Sequence, residues 1–298
     1  MYKDAKRSAD AHLKALKLYG YDITTIQVEP SWPVSESCGA RVNYAPDKNP
    51  WITKFPLEGK NDFDELEVPD FMEWKSTKVM IEGTNILAKN ANVPIAAYMT
   101  GPITFSFQLM PYELLVPLMV KDPEFTHLLV KKSIKIIKEY VKMLKDAGAS
   151  ILVLCEHDYQ ILKAQQVEEF SLNYIEELLT IYDFNILHMC GKVSTHLQYL
   201  GNIIKQIKKL DMISIDSFVS ISETQDLLKG KIGVAGNIDH VRLLPKGSPK
   251  EIKETVFRAL RENRNVSRFM IAPGCEITAD TPIQNVKALV NATKSFKR

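Results

Sequence analysis

Short apolar runs alternate along this chain with longer stretches in which apolar residues recur at helical spacing. The short runs are rich in β-branched residues and predict strands over 22–29, 93–99, 151–155, 185–190, 212–216, 232–239 and 269–275. The periodic stretches predict helices over 4–19, 72–90, 123–147, 166–182, 193–208, 222–229, 249–263 and 282–297. Because the strands are almost continuously apolar and alternate with helices, the pattern indicates a parallel sheet with both faces buried.

Polar residues collect where the predicted strands end. The residues concerned are Glu29, Thr100, Glu156, His188 with Cys190, Asp216, Asn237 and Cys275. In a TIM-type barrel the carboxyl ends of the strands form one rim, and the active site lies on that rim. An open doubly wound sheet would hold a ligand only near a switch in strand order. The spread of polar residues over every predicted strand therefore favours an α/β fold, a TIM-type (β/α)8 barrel formed by a single domain over residues 1–298.

His188 and Cys190 are the strongest candidates for a chemical role. They are two positions apart at the end of a predicted strand, so their side chains should project to the same side of the sheet. Imidazole and thiolate are ligands that suit Zn²⁺, and Cys275 offers a third such ligand at the end of another strand. The alternative is structural: the two cysteines would be small buried hydrophobic residues and the histidine a hydrogen-bonded core residue.

Composition and charge narrow the class of protein. With 45% hydrophobic residues, 25% charged residues and no low-complexity segment, the chain has the composition of a folded globular protein. Its 38 basic and 36 acidic residues leave a net charge of +2 without a long lysine run, so no nucleic-acid partner is indicated. No apolar stretch reaches the roughly 20 residues of a membrane span, and no apolar signal core follows the first residues. We therefore expect a cytoplasmic protein with no membrane partner, whose four cysteines are reduced.

Three sequence blocks resemble a known family. They are 187–191 (Leu-His-Met-Cys-Gly), 234–239 (Val-Ala-Gly-Asn-Ile-Asp) followed by 243–244, and 272–276 (Ala-Pro-Gly-Cys-Glu) with 280–290. In this order and spacing they resemble the uroporphyrinogen decarboxylase superfamily. Within it they resemble the zinc-dependent methyltransferases that move a methyl group from a methylated corrinoid protein to a thiol, typically coenzyme M.

One position separates the two branches of that superfamily. The decarboxylases that this chain resembles usually carry Gly-His-Gly where it has Gly274-Cys275-Glu276, and they hold porphyrin carboxylates with amino-terminal arginines. This chain has the cysteine and begins without such an arginine segment, which favours the methyltransferase branch. It also begins with the helix that should follow the family's first strand, so we expect the barrel to lack that strand unless another segment fills the gap.

The resemblance implies a zinc ion held by the catalytic residues His188, Cys190 and Cys275. A thiol such as coenzyme M would bind to the zinc as a thiolate and attack the methyl group on Co(III) of the corrinoid partner, leaving Co(I). Asp216 is the candidate fourth ligand because it ends the next strand, with Glu156 or Cys155 as competitors. The substrate pocket would be formed by residues at other strand ends, namely Glu29, Thr100, Glu156 and Asn237.

Two other functions remain open from the sequence. The first is a decarboxylase like those of the other branch, which need no metal. The second is a binding module that docks a corrinoid or tetrapyrrole without catalysis. Cys275 argues against the first of these. The histidines outside the strand ends are expected to be structural or to lie in loops, and that expectation includes His157 and His240.

Overall fold

The computed structural model describes residues 3–26, 31–45, 50–266 and 268–296. Its strands are β1 (Arg41–Asn43), β2 (Trp51–Lys54), β3 (Ala96–Thr100), β4 (Ile151–Glu156), β5 (Asn185–Met189), β6 (Met212–Ile215), β7 (Gly233–Ile238) and β8 (Phe269–Pro273). Strands β3 to β8 form one parallel sheet in which each strand is hydrogen bonded to the next in sequence. Strands β1 and β2 form a separate antiparallel hairpin. The predicted alternation of parallel strands and helices is confirmed.

Helices cover the connections between these strands. They are α1 (Ala5–Tyr19), α2 (Trp32–Ser37), α3 (Lys75–Asn90), α4 (Pro102–Leu109), α5 (Tyr112–Lys121), α6 (Pro123–Asp146), α7 (Ala164–Val167), α8 (Asn173–Leu179), α9 (Ser194–Ile204), α10 (Ile221–Leu228), α11 (Leu243–Lys246), α12 (Pro249–Glu262) and α13 (Ile283–Ser295). A π-helical turn, Glu168–Leu172, joins α7 to α8, so the helix predicted over 166–182 is interrupted. Within the described residues, no helix combines the length and apolar character needed to cross a membrane.

The two faces of the sheet carry different apolar clusters. On β4, Leu152 and Leu154 belong to the large core between the sheet and the helices, whereas Val153 and Cys155 belong to a smaller cluster on the opposite face. We call this smaller cluster the inner cluster; its buried members are Ala96, Ile151, Val153, Cys155, Ile186, Met212 and Ala235. Tyr98 of β3 and Met270 of β8 pack against it, so the strands from one edge of the sheet to the other share one inner face.

The segment predicted as the first strand forms a single parallel bridge, between Thr24 and Ile95. The backbone N–H of Ala96 donates to the carbonyl oxygen of Thr24 at 2.8 Å. The predicted strand 22–29 is therefore wrong in extent over its described part, because the segment is paired on one side only; residues 27–30 lie outside the described residues.

At the other edge of the sheet, β8 is paired with β7 alone among the described residues. All five of its residues are partly exposed, in contrast to the fully buried β4 and β5. The two sheet edges are therefore not joined by backbone hydrogen bonds within the part of the chain that the structure describes. The expectation of a barrel that lacks its first strand stays a prediction.

Candidate metal centre

Strand β5 fixes the position of His188. The strand is paired on both sides, and its register places His188 between Cys155 of β4 and Ser214 of β6. His188 is two residues beyond Ile186 and therefore points to the same inner face of the sheet. Only 7% of its surface is exposed. Cys190 follows the strand by one residue, and its backbone N–H donates to the carbonyl oxygen of Glu156 at 3.1 Å.

The turn after Cys190 depends on Gly191. Its φ of +78° lies in the left-handed region, which costs a residue with a Cβ atom roughly 1–2 kcal/mol. A Cβ at this position would also lie 2.2 Å from the Gln160 side-chain oxygen. The backbone N–H of Gly191 donates to the carboxylate of Asp216 at 3.1 Å. The turn is therefore held from the end of the next strand, which fixes the direction in which Cys190 leaves β5.

Gly274 brings the distant cysteine to the same place. A Cβ on Gly274 would lie 2.5 Å from the backbone nitrogen of Ser217 and 3.1 Å from the carbonyl carbon of Asp216, so only glycine allows this approach. The Gly274 N–H donates to the carbonyl oxygen of Ile238 at 2.8 Å. As a result the chain beyond β8 passes against the end of β6, and the sulfur atoms of Cys190 and Cys275 lie 3.7 Å apart.

The three side chains fit a tetrahedral zinc ion. The potential ligand atoms of His188, Cys190 and Cys275 all lie within 4.8 Å of one another. Two thiolates each about 2.3 Å from a tetrahedral zinc are about 3.8 Å apart, close to the separation of these sulfurs. The Nε2 atom of His188 is buried and has no hydrogen-bond partner among the described residues, an arrangement that is costly unless the atom binds something. Both the spacing and the unpartnered nitrogen favour a bound soft metal.

The thiol pKa values of the two cysteines are shifted in opposite directions. The pKa of the Cys275 thiol is lowered, first by its hydrogen bond with Cys190 and then by its interaction with the His188 side chain. The pKa of Cys190 is raised by that same hydrogen bond and by burial. One hydrogen bond between the two sulfurs therefore accounts for the opposite directions of the two shifts. A bound metal cation would favour the thiolate form of both cysteines.

Asp216 does not lie among the converging ligand atoms. One of its carboxylate oxygens accepts from Gly191 N–H, and the other accepts from the Ser217 hydroxyl at 2.9 Å. The group of candidate metal ligands within the described residues does not include it. Asp216 as the fourth ligand stays a prediction; in this structure its carboxylate holds the turn that follows Cys190.

Glu156 lies on the opposite side of the sheet from the three candidate ligands. It is fully buried, accepts from the Ser171 hydroxyl at 2.6 Å and from the backbone N–H of Thr104 at 3.0 Å, and so closes the amino-terminal end of α4. Burial raises the pKa of Glu156 to about 7, although both hydrogen bonds oppose the rise. The side chain therefore faces the helices in this structure, and its roles as fourth ligand or substrate contact stay predictions.

Of the other predicted pocket residues, Thr100 and Asn237 have defined contacts in the structure. Thr100 is buried on the inner side of the sheet, next in register to Cys155, and accepts from the Ser31 hydroxyl. Asn237 donates from its amide nitrogen to the carbonyl oxygen of Val219 at 2.6 Å, which ties β7 to the loop after β6. Glu29 lies outside the described residues. A substrate contact by Thr100 or Asn237 stays a prediction.

Two residues near the centre were missed by sequence reasoning. The ring of His157 lies edge-on to that of His188, with the ring centres 6.4 Å apart, and burial lowers the pKa of His157. Ser214 bonds the Nδ1 atom of His188 at 3.0 Å. His157 directly follows a predicted strand, a position that should have placed it on the rim. The contact of Ser214 becomes visible only from the register of β5 and β6.

Comparison with known proteins identifies the family. A family model described as uroporphyrinogen decarboxylase (URO-D) matches residues 1–296. The chain belongs to the uroporphyrinogen decarboxylase family. It is 23% identical over 304 residues to the uroporphyrinogen decarboxylase of Thermodesulfovibrio yellowstonii, an alignment that covers 100% of this chain and 86% of that protein. It is 22% identical over 271 residues to the methylcobamide:CoM methyltransferase MtaA of Methanosarcina barkeri, covering 88% of this chain and 77% of the relative.

A solved structure has the same fold. The chain matches a methyltransferase from Methanosarcina mazei with a TM-score of 0.88 and 20% sequence identity, covering 98% of this chain and 86% of the other. This likeness confirms the predicted fold class, and the family match confirms the predicted family. The relatives of this family include both decarboxylases and methyltransferases, so membership alone does not choose between the two reactions.

Proposed function

We propose that the protein is a zinc-dependent methyltransferase that moves a methyl group from a methylated corrinoid to a small thiol such as coenzyme M. The convergence of His188 Nε2 with the sulfurs of Cys190 and Cys275 carries this proposal. A decarboxylase that uses no metal has no need of two cysteines and an unpartnered imidazole nitrogen gathered in one place. The name of the Methanosarcina barkeri relative, a methylcobamide:CoM methyltransferase, supports the same reaction.

The three residues would hold the zinc through one nitrogen and two sulfurs. Zinc bound in this way would supply a Lewis acid. It would lower the pKa of a bound substrate thiol well below the roughly 8.5 of a free thiol, so the substrate would be held as a thiolate. The negative charges of Cys190 and Cys275 would offset the charge of the cation. The substrate sulfur would therefore stay nucleophilic although the cation deprotonates it. Both cysteines must lose their thiol protons before they can bind the metal as thiolates, so metal binding should strengthen as pH rises.

The methyl donor would approach from the carboxyl ends of the strands. Cys190 and Cys275 both follow the ends of their strands and are partly exposed, so their sulfurs are reachable from this side. Phe218, which follows Asp216 on the same rim, is 51% exposed. A corrinoid protein that carries its cofactor at its surface is the partner that this arrangement suits, and the small thiol would enter beside it.

Methylcobalamin with candidate thiols tests the proposal. Zinc-loaded protein mixed with methylcobalamin and coenzyme M, homocysteine or another small thiol should convert the methylcobalamin spectrum to that of the demethylated cofactor. The Cys275→Ala variant should lose the activity and its zinc. Cys38→Ala is the matched control, because Cys38 lies at the end of α2, outside the candidate metal group, and its loss should leave both unchanged.

The opposite outcome is also defined. Zinc-loaded protein that demethylates no corrinoid with any thiol contradicts the proposal and favours a binding module. Metal-free protein that releases CO₂ from a porphyrinogen carboxylate assigns the chain instead to the reaction named for its Thermodesulfovibrio relative.

A further inference from the structure

Ser214 lies beside His188 on the neighbouring strand. The two residues are register partners in the parallel pair β5 and β6, and both point to the inner face of the sheet. The Ser214 hydroxyl oxygen is 3.0 Å from Nδ1 of His188. Since both residues are held in paired strands, the hydrogen bond is fixed by the sheet and does not depend on a mobile loop.

The direction of this hydrogen bond decides whether His188 can bind a metal. A neutral imidazole carries one proton, either on Nδ1 or on Nε2. If Nδ1–H donates to Ser214, the lone pair of Nε2 is free. If Ser214 donates to Nδ1, the proton lies on Nε2, beside the two sulfurs, and that nitrogen has no lone pair left for a metal. Only the first arrangement leaves a lone pair on Nε2 for a metal that is held together with the two sulfurs.

His196 shows that an unpartnered nitrogen alone does not make a metal ligand. Its Nε2 atom bonds the carbonyl oxygen of Leu162 at 2.7 Å, and its Nδ1 atom is buried without a partner. A carbonyl oxygen can only accept, so the proton of His196 is on Nε2, and its Nδ1 atom is not part of a group of candidate metal ligands. His188 differs because two cysteine sulfurs lie within reach of its free nitrogen.

We propose that Ser214 is a positioning residue that accepts a hydrogen bond from Nδ1–H of His188 and so presents the Nε2 lone pair of His188 to the metal. This inference rests on the metal site of the proposed function, and it adds a residue that acts through a ligand without touching the metal. Hydrogen-bond partners of metal-binding histidines fix both the tautomer and the orientation of the ring, and losing one typically weakens metal binding about 10- to 100-fold.

Metal titration of the full-length protein tests the proposal without an activity assay. Apoprotein is titrated with Co²⁺ followed by its visible absorption, and zinc affinity is measured by competition with a chelator. The Ser214→Ala variant should bind both ions about 10- to 100-fold more weakly and give altered cobalt absorption bands. Ser214→Thr keeps a hydroxyl at the position and should recover most of the affinity. Ser222→Ala removes an exposed hydroxyl from α10 and should match the wild type.

A double-variant cycle separates positioning from general damage to the sheet. In a His188→Ala background, Ser214→Ala should cause no further loss, because its effect passes through the imidazole. Equal metal affinity in wild type and Ser214→Ala overturns the inference, and so does an undiminished loss in the His188→Ala background. Wild-type protein that binds neither ion overturns both this inference and the proposed function. Normal zinc binding without methyl transfer contradicts the proposed reaction only.

Discussion

Replacing Gly274 with alanine should damage the metal centre without altering any of its ligands. The added Cβ would lie 2.5 Å from the backbone nitrogen of Ser217, and 3.1 and 3.2 Å from the carbonyl carbon and Cα of Asp216. Ordinary contact begins at 3.4 Å, so the closest pair must separate by about 0.9 Å. Because the three contacts are backbone atoms, no side-chain rotation can relieve them.

The required movement is large relative to what a metal site tolerates. Productive geometry generally has to be held within about 0.5 Å, and the 3.7 Å sulfur separation depends on where the chain beyond Gly274 lies. We expect Gly274→Ala to reduce zinc affinity at least about tenfold and to lower the free energy of unfolding by about 1–3 kcal/mol, the usual cost of forced overpacking.

Zinc competition with a chelator and urea unfolding measure the two effects. Gly59→Ala is the matched control, because a Cβ on Gly59 meets nothing within 4 Å and its φ is extended. A Gly274→Ala protein with the zinc affinity of the wild type and of Gly59→Ala would refute the reasoning. It would show either that the loop beyond β8 does not need this close approach, or that Cys275 is not a ligand.

Two further outcomes follow from the neighbouring carboxylates. Asp216→Ala should keep about one zinc per chain but bind it more weakly, because the carboxylate holds the Gly191 turn; zinc loss as complete as in Cys275→Ala would instead make Asp216 a ligand. Glu156 has a folded-state pKa of about 7 against an ordinary value of 4.5, so the folded protein binds more protons between these values and stability should fall as pH rises from about 4.5 to 7. Over this pH interval the free energy of unfolding of the wild type should fall by roughly 3 kcal/mol more than that of Glu156→Gln. Parallel curves of stability against pH for the two proteins would disprove this prediction.

Much of the fold was predictable because the apolar runs are unambiguous. Strands such as Ile151–Glu156 and Asn185–Met189 are buried on both faces, so their sequences are mostly apolar and their positions are easily recognised. The segment around Thr24 has the same β-branched character, but its described residues are paired on one side only and form a single bridge. Sequence patterns predict which segments can be strands and give no information on which edges find partners.

The convergence of His188, Cys190 and Cys275 was easier to predict than the contacts of the residues around them. His188 and Cys190 share a face through simple strand alternation, and the same alternation should have placed Glu156 on the opposite side from Cys155. Asp216 was chosen for its place at a strand end, but the direction of its side chain depends on the Gly191 N–H that it accepts. Contacts that arise from register between strands, such as that of Ser214 with His188, cannot be read from one strand alone.

Zinc K-edge X-ray absorption of the metal-loaded wild-type protein tests the central claim most directly. The claim is that His188, Cys190 and Cys275 together bind one thiophilic ion. The spectrum should show two sulfur ligands at about 2.3 Å and at least one nitrogen at about 2.0–2.1 Å, with one sulfur lost in Cys275→Ala. A zinc bound only by nitrogen and oxygen, or protein that takes up no zinc, would contradict the account.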